Sequence, residues 1–191
     1  MPPSSESSST AGARTDLGLA PINGLAHVRG VDTPALSEST VYGLLTTTAS
    51  RWPERQAAVF VEHGVRWTWQ QFLAEVDAFA AGLAGLGLVR GDRVGIWSPN
   101  RPEWIVTQFA TAKLGLILLN VNPAYRLSEL EYALKVTGAR AVVSAESLRT
   151  ANYIEMLETV RPQLPALEFI IRTGSDQRVG ILNYAKVLAD G

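Results

Sequence analysis

Between Arg93 and Arg172 the chain repeats one unit: a short apolar run, a stretch with helical periodicity, then another apolar run. The runs are Arg93–Trp97, Leu116–Val121, Arg140–Ser144 and Leu167–Arg172. Between them lie Pro102–Leu114, a segment opened by Ser128, and Tyr153–Val160. Strings such as LGLILLNV and RAVVS lack the apolar–polar alternation of a half-wet antiparallel sheet, so both faces of these strands must be covered. Strands joined through helices within one sheet form right-handed crossovers. The expected fold class is α/β: a mainly parallel sheet with helices on both faces.

Local signals fill in the rest. Val41, Leu44, Leu45 and Thr48 give Thr40–Trp52 a helical period that ends at Pro53. Ala57–Glu62 and Val65–Thr68 flank His63-Gly64, which reads as a two-residue polar turn closing a small amino-terminal β-hairpin. Thr68 and Gln71 form a capping box, because a Thr hydroxyl and a Gln amide three residues on can satisfy each other's backbone N–H groups. Phe72, Val76, Phe79, Ala80 and Leu83 then share one helical face, to about Leu86. Pro102 suits the first turn of a helix whose Trp104, Ile105, Phe109 and Ala112 lie together. Ser128 and Glu131 supply a second capping box, opening a helix through Leu130, Leu134 and Val136 that stops at Gly138.

The start of the chain differs in kind. Residues 1–12 hold five Ser and two Pro and no apolar cluster, too little to offset the entropy lost on ordering. Residues 1–36 are expected to be a leader, largely disordered or irregular, and 37–191 the α/β unit. The leader has no basic start followed by an apolar run, so it does not read as a secretory signal. The longest uncharged apolar stretch, Leu114–Val121, is too short to span a bilayer, so no transmembrane segment and a cytoplasmic location are expected.

Composition narrows the chemistry. Of 191 residues 47% are hydrophobic and 18% charged, which excludes wholesale disorder. Lys plus Arg number 17 against 18 Asp plus Glu, a net charge of −1 that gives a nucleic acid nothing to grip. There is no cysteine, and the only histidines are His27 and His63, so disulfides, thiolate nucleophiles and His-rich or thiolate zinc sites are out. His63 belongs to the hairpin tip.

Ligands of an open parallel sheet bind beyond the carboxyl ends of its strands. Those ends carry Ser98-Pro99-Asn100, Asn120-Val121-Asn122-Pro123 and Ser144. Asn and Ser also end strands because their side chains bond nearby backbone, and for each residue alone turn chemistry is preferred over ligand contact. None of Lys113, Lys135 and Lys186 follows a glycine, so there is no phosphate-cradling P-loop. GLAGLG, Gly82–Gly87, has the wrong spacing for a dinucleotide fingerprint and ends a helix instead of following a strand. Arg126 lies two residues before Ser128, where a helix N-terminus presents unpaired N–H groups to an anion; a solvated arginine beside a cap is the plainer account. Trp97 and Trp104 flank the 98–102 loop as walls for an apolar ligand or, preferably, as core.

Four stretches in register carry a resemblance: Trp67–Phe72 (WTWQQF), Gly91–Ile105 (GDRVGIWSPNRPEWI), Ala112–Pro123 (AKLGLILLNVNP) and Ser128–Leu134 (SELEYAL). They resemble successive early motifs of the AMP-forming acyl-CoA synthetases of the adenylate-forming superfamily, from about Leu36 to about Gly174. With Asn122-Pro123-Ala124-Tyr125 and SELEY, the form is most similar to medium- and long-chain fatty-acid:CoA ligases.

The resemblance implies a two-step reaction. A carboxylate attacks ATP with Mg²⁺ to give an acyl-adenylate and pyrophosphate, and coenzyme A then displaces AMP. It also implies a phosphate loop, metal and ribose acids and a lysine on a mobile carboxyl-terminal domain, none of which occurs before Gly191. The chain is therefore expected to be the amino-terminal subdomain of such a ligase, inactive alone and holding no cofactor tightly. Its expected partners are the remainder of the polypeptide and a fatty-acid substrate, with a homo-oligomer left open. No catalytic or metal residue carries over. Asn122–Ser128 resembles a loop that offers basic side chains to the phosphates of coenzyme A, which makes Arg126 the one candidate cofactor contact. Two alternatives stand beside this reading: a stand-alone flavodoxin-like or Rossmann-like small-ligand module, and a non-catalytic interaction domain.

Overall fold

A computed structural model of the chain describes Gly24, residues 33–174 and residues 177–191. The chain divides into two units, 1–38 and 39–191. The described residues of the first, Gly24 and 33–38, are exposed, and the leader expected over 1–36 otherwise lies outside the described residues.

The second unit is built on a five-stranded sheet in which every pairing is parallel. Its strands are β3 (Arg93–Trp97), β4 (Ile117–Asn120), β5 (Ala141–Ser144), β8 (Phe169–Arg172) and β9 (Leu182–Asn183), in the order β4-β3-β5-β8-β9. Two antiparallel ribbons stand apart from it: β1 (Gln56–Phe60) with β2 (Val65–Thr68), and β6 (Ser147–Leu148) with β7 (Ala151–Asn152). The helices are α1 (Val41–Arg51), α2 (Trp69–Gly85), α3 (Pro102–Leu114), α4 (Leu127–Thr137), α5 (Tyr153–Val160) and α6 (Tyr184–Ala189).

The pleat divides the interior in two. Val94 and Ile96 of β3, Ala141 and Val143 of β5 and Ile171 of β8 face a cluster formed with α1, α2, α3 and α6. Trp97, Val142 and Ile170, the residues between, face a second cluster formed with α4 and α5. Both faces of β3 and β5 are thus covered, as their unbroken apolar runs require, whereas the run LGLILLNV forms β4, which is only partly covered. β3 and β5 are fully or nearly fully buried, whereas β4 is an edge strand with Ile117 exposed.

α2 follows the sequence closely. The Thr68 hydroxyl accepts from the Gln71 N–H at 3.2 Å, the Gln71 amide oxygen accepts from the Thr68 N–H at 2.9 Å, and the expected face from Phe72 to Leu83 is buried. Each such large apolar side chain contributes about 1.5–3 kcal/mol on burial. Gly82 lies on the same buried side, and a Cβ there would sit 1.9 Å from the Val187 carbonyl oxygen, so α6 packs backbone to backbone on α2.

Elsewhere the structure shifts the expected details. The hairpin does not close in two residues: Phe60 pairs with Val65 across a 3₁₀ turn, Val61–His63, and Gly64 at φ 64° supplies the left-handed residue that brings the chain back. On α1 the buried pair is Leu45 and Ala49, with Val41 and Leu44 about half exposed, because the Tyr42 hydroxyl donates to Asp77 of α2 at 2.8 Å and fixes the helix's rotation. On α3 the fully buried stripe is Val106, Thr107, Ala110 and Thr111, and the larger Trp104, Ile105 and Phe109 pack half-buried beside it. Thr107 and Thr111 can be buried because each hydroxyl donates to a carbonyl one turn back, at 2.7 and 2.9 Å.

α4 begins at Leu127 with Arg126 as its N-cap residue, so the capping box expected from Ser128 and Glu131 is displaced by two. The Glu129 carboxylate accepts the Arg126 N–H at 2.9 Å, while Glu131 pairs with Lys135 along the helix at 3.7 Å. Leu130 and Leu134 are buried and Val136 is exposed. Arg93 closes the far end of α4, its Nε donating to the Thr137 carbonyl at 2.8 Å and its Nη2 to the Gly138 carbonyl at 2.7 Å. At the amino edge of the sheet Arg140 joins Asp92 and Glu168, each at 2.8 Å.

Candidate functional site

The sheet order reverses direction between β3 and β5, since the crossover from β3 runs outward to β4 and later crossovers run the opposite way. At such a switch point the loops leaving adjacent strands diverge and open a crevice at the carboxyl edge. Three segments meet here: the loop after β3, the loop 121–126 between β4 and α4, and the β6–β7 ribbon that follows β5.

Most of the polar groups expected at this edge are committed to backbone. The Ser98 hydroxyl donates to the Pro99 carbonyl and the buried Ser144 hydroxyl to the Ala145 carbonyl, both at 2.8 Å. The Asn122 side-chain oxygen accepts the Ala124 N–H at 2.9 Å, folding the loop into an Asx turn. Turn chemistry accounts for these three, as the residue types suggest.

The tryptophans resolve toward core. Trp97 is fully buried, and its ring stacks on Tyr153 with centroids 3.8 Å apart and planes 12° from parallel. Trp104 packs half-buried on the α1–α2–α3 cluster. The polar ends of the stacked pair face the loop: Trp97 Nε1 donates to the Asn122 carbonyl at 3.0 Å, and the Tyr153 hydroxyl donates to the Pro123 carbonyl at 2.5 Å. Burial raises the Tyr153 hydroxyl above the ordinary tyrosine range, while the nearby charge of Arg126 pulls it the other way.

Arg126 itself is exposed at the helix N-terminus and lines a cleft of about 420 Å³. The cleft's other walls are residues 122–125 and 148–151. This brings a second cation, Arg149, to the same cleft from the tip of the β6–β7 ribbon, in a left-handed backbone conformation at φ 53°. Among the described residues neither guanidinium is in an ion pair, although the Arg126 backbone N–H donates to the Glu129 carboxylate. At the neighbouring strand end Arg172 meets Glu146 at 3.2 Å. Sequence reasoning missed Arg149: its distance from Arg126 along the chain is bridged only by the sheet order, and Arg149 lies in a ribbon too short to show a strand pattern. His63 lies at the hairpin turn and belongs to no such cluster. Among the described residues no group of three or more His, Cys, Asp or Glu could hold a metal ion.

A doubly wound parallel sheet that opens a cleft at its switch point defines the class of open-sheet α/β proteins that bind ligands beyond the carboxyl ends of their strands. Residues 45–188 match the AMP-binding enzyme family, and the chain belongs to it. It is 42% identical over 165 residues to the mitochondrial medium-chain acyl-CoA ligase ACSF2 of Danio rerio, covering 80% of this chain and 27% of that protein. It is 44% identical over 144 residues to the ACSF2 ligase of Homo sapiens, covering 75% of this chain and 23% of that one. The solved structure of a putative long-chain-fatty-acid CoA ligase from Rhodopseudomonas palustris superposes with a TM-score of 0.70 at 28% identity, covering 80% of this chain and 37% of that one. The chain thus spans about a quarter of the length of these curated relatives.

Proposed function

We propose that this chain is the amino-terminal part of an AMP-forming fatty-acid:CoA ligase, and that residues 37–191 are the α/β subdomain carrying one side of its coenzyme A site. The observation that supports the activity most is the 44% identity over 144 residues to a medium-chain acyl-CoA ligase. The sheet order by itself is shared with small-ligand binding modules. The family match over 45–188 favours the ligase.

ATP, Mg²⁺ and coenzyme A are the cofactors of the complete enzyme in this reading. The residues here do not suit the first two. The sequence has no glycine-rich phosphate loop, and the described residues offer no carboxylate cluster for a cation. Adenylation is therefore assigned to the remainder of the polypeptide, and the chain alone is expected to be inactive. The third cofactor suits better: two exposed arginines meet at one cleft beside the start of α4, a pair of guanidinium donors matched to phosphate oxygens. Coenzyme A's phosphates held there would leave its thiol free to reach an acyl-adenylate formed on the neighbouring part. Fatty acid is the carboxylate substrate and the remainder of the polypeptide the principal partner. A second copy of the chain is an open partner. A cytoplasmic location belongs to the same proposal; the ACSF2 relatives are named as mitochondrial. Among the described residues no helix is long and apolar enough to cross a membrane.

The test uses the complete gene product with ATP, coenzyme A and a mixture of medium- and long-chain fatty acids, read by mass spectrometry. Acyl-CoA and AMP are the expected products. Thioester formation by residues 1–191 alone would overturn the division of labour. Arg126→Ala should raise KM for coenzyme A about tenfold or more, the worth of a charge-assisted hydrogen bond, and leave fatty-acid-dependent ATP–pyrophosphate exchange unchanged. An unchanged KM removes Arg126 from the site.

A further inference from the structure

The cleft's two cations come from different segments, and one residue joins those segments. Tyr153 is the first residue of α5, directly after the ribbon that carries Arg149, and its backbone N–H donates to the Glu146 carbonyl at 2.9 Å, closing that ribbon's base. Its hydroxyl reaches across to the Pro123 carbonyl of the loop that leads to Arg126. Its ring is fixed by the stack on Trp97, whose own Nε1 holds the preceding carbonyl, Asn122. Successive carbonyls of the 122–126 loop are therefore pinned by two side chains that are both fully buried. The rest of its hold is local: Asn122, Ala124 and Arg126 are exposed, and its own bonds are the Asx turn, the Tyr125 N–H donated to the Asn122 carbonyl at 3.0 Å and the Glu129 contact at its end.

We infer that Tyr153, supported by Trp97, is a positioning residue for coenzyme A: it sets the separation of Arg126 and Arg149 across the cleft. This rests on the coenzyme A reading of the cleft given above. A buried aromatic pair could fill space with Phe in either place. The tyrosine hydroxyl is what shapes the loop, because the Pro123 carbonyl left without it turns toward water and carries the following residues with it, whereas the Asn122 carbonyl accepts from the Tyr125 N–H as well as from the indole. Arginines held at a set spacing bind a phosphate-rich ligand without the entropy cost of ordering the loop at each encounter. The effect is on binding of coenzyme A and not on adenylation, since the clamp's side-chain bonds both go to the loop that carries Arg126.

The experiment is Tyr153→Phe in the complete enzyme, which keeps the stack and removes the hydroxyl. The expected result is a rise of about fivefold in KM for coenzyme A, the worth of one hydrogen bond, with kcat and ATP–pyrophosphate exchange unchanged. A general packing defect would lower exchange and kcat as well, and that outcome overturns the inference. Arg126→Ala run in parallel separates the two levels. If it raises KM and Tyr153→Phe does not, the positioning role falls and the site stands. If neither changes KM, the coenzyme A reading falls and the positioning role with it. Should Tyr153→Phe not fold, Trp97→Phe keeps a ring against Tyr153 and removes the indole N–H from the Asn122 carbonyl; a KM rise for coenzyme A with exchange and kcat unchanged supports the clamp, and no change refutes it.

Discussion

Two glycines near the carboxyl end of α2 should respond to the same substitution with opposite sign. At Gly82 an added Cβ would lie 1.9 Å from the Val187 carbonyl oxygen, 2.8 Å from its carbonyl carbon and 2.9 Å from its Cγ1. Ordinary contact begins near 3.4 Å, so α6 must retreat by more than an ångström, and the obstacle is backbone that no rotamer change relieves. Overpacking of this kind costs about 1–3 kcal/mol, and alanine's better helix propensity returns somewhat under 1 kcal/mol of it. At Gly85, three residues on, the added methyl meets nothing within 4 Å and φ is not left-handed, so only the propensity gain remains, a few tenths of a kcal/mol at a helix end. Gly82→Ala should therefore lower Tm by roughly 3–6 °C and Gly85→Ala should leave it equal or slightly higher. Thermal melts of the two variants beside the parent chain measure this. The near-ultraviolet circular dichroism of Gly82→Ala should also weaken, because the displaced α6 carries Tyr184, stacked on Phe79 at 4.3 Å. A Gly82→Ala variant as stable as Gly85→Ala would refute backbone-to-backbone packing of α6 on α2.

Two further outcomes test the rest of the fold. Leu134→Ala should cost about 2–5 kcal/mol, whereas Val136→Ala on the exposed side of α4 should stay within about 0.5 kcal/mol of the parent in urea unfolding; equal losses would mean the helix is rotated from its described face. Acid should unfold the chain partly through Arg140. Asp92 is held below the usual carboxylate range by the Val89 N–H and then by Arg140, and Glu168 is held below it by Arg140. Carboxyls depressed in the folded state stabilise fully above their unfolded pKa, about 4, and lose that contribution as pH falls through their folded values. Tm should thus change little from pH 7 to 5 and fall below pH 4, and Arg140→Met should flatten the fall; parallel pH profiles would remove Arg140 as its source.

The parts of the fold legible in the sequence are those decided by near neighbours in the chain. Thr68 with Gln71 starts α2 through bonds spanning three residues, and no later contact can improve on a cap already satisfied. The parallel sheet was legible in the unbroken runs of β3 and β5, which only a doubly covered strand can carry. The same local logic misplaced the start of α4. Ser128 and Glu131 have the pattern of a capping box, but the loop pinned by Trp97 and Tyr153 delivers the chain to the helix two residues earlier, and Glu129 caps Arg126 instead. Helix faces erred for a related reason: the period of apolar residues on α1 and α3 gives a stripe a hundred degrees wide, and the direction it turns is chosen by partners such as Asp77 that periodicity does not contain.

The candidate site divides in the same way. Arg126 beside a helix start was readable because charge and helix terminus are adjacent in sequence. Arg149, the Trp97–Tyr153 stack and the two carbonyls it holds were not, since they join β3, the 122–126 loop and the β6–β7 ribbon across distances that only the strand order closes. Sequence alone determined the class of fold and the family's motifs, because apolar periodicity and local capping act within a few residues. Tertiary structure decided which helix faces are buried, where α4 begins and which cations share a cleft, because those depend on contacts between segments far apart in the chain.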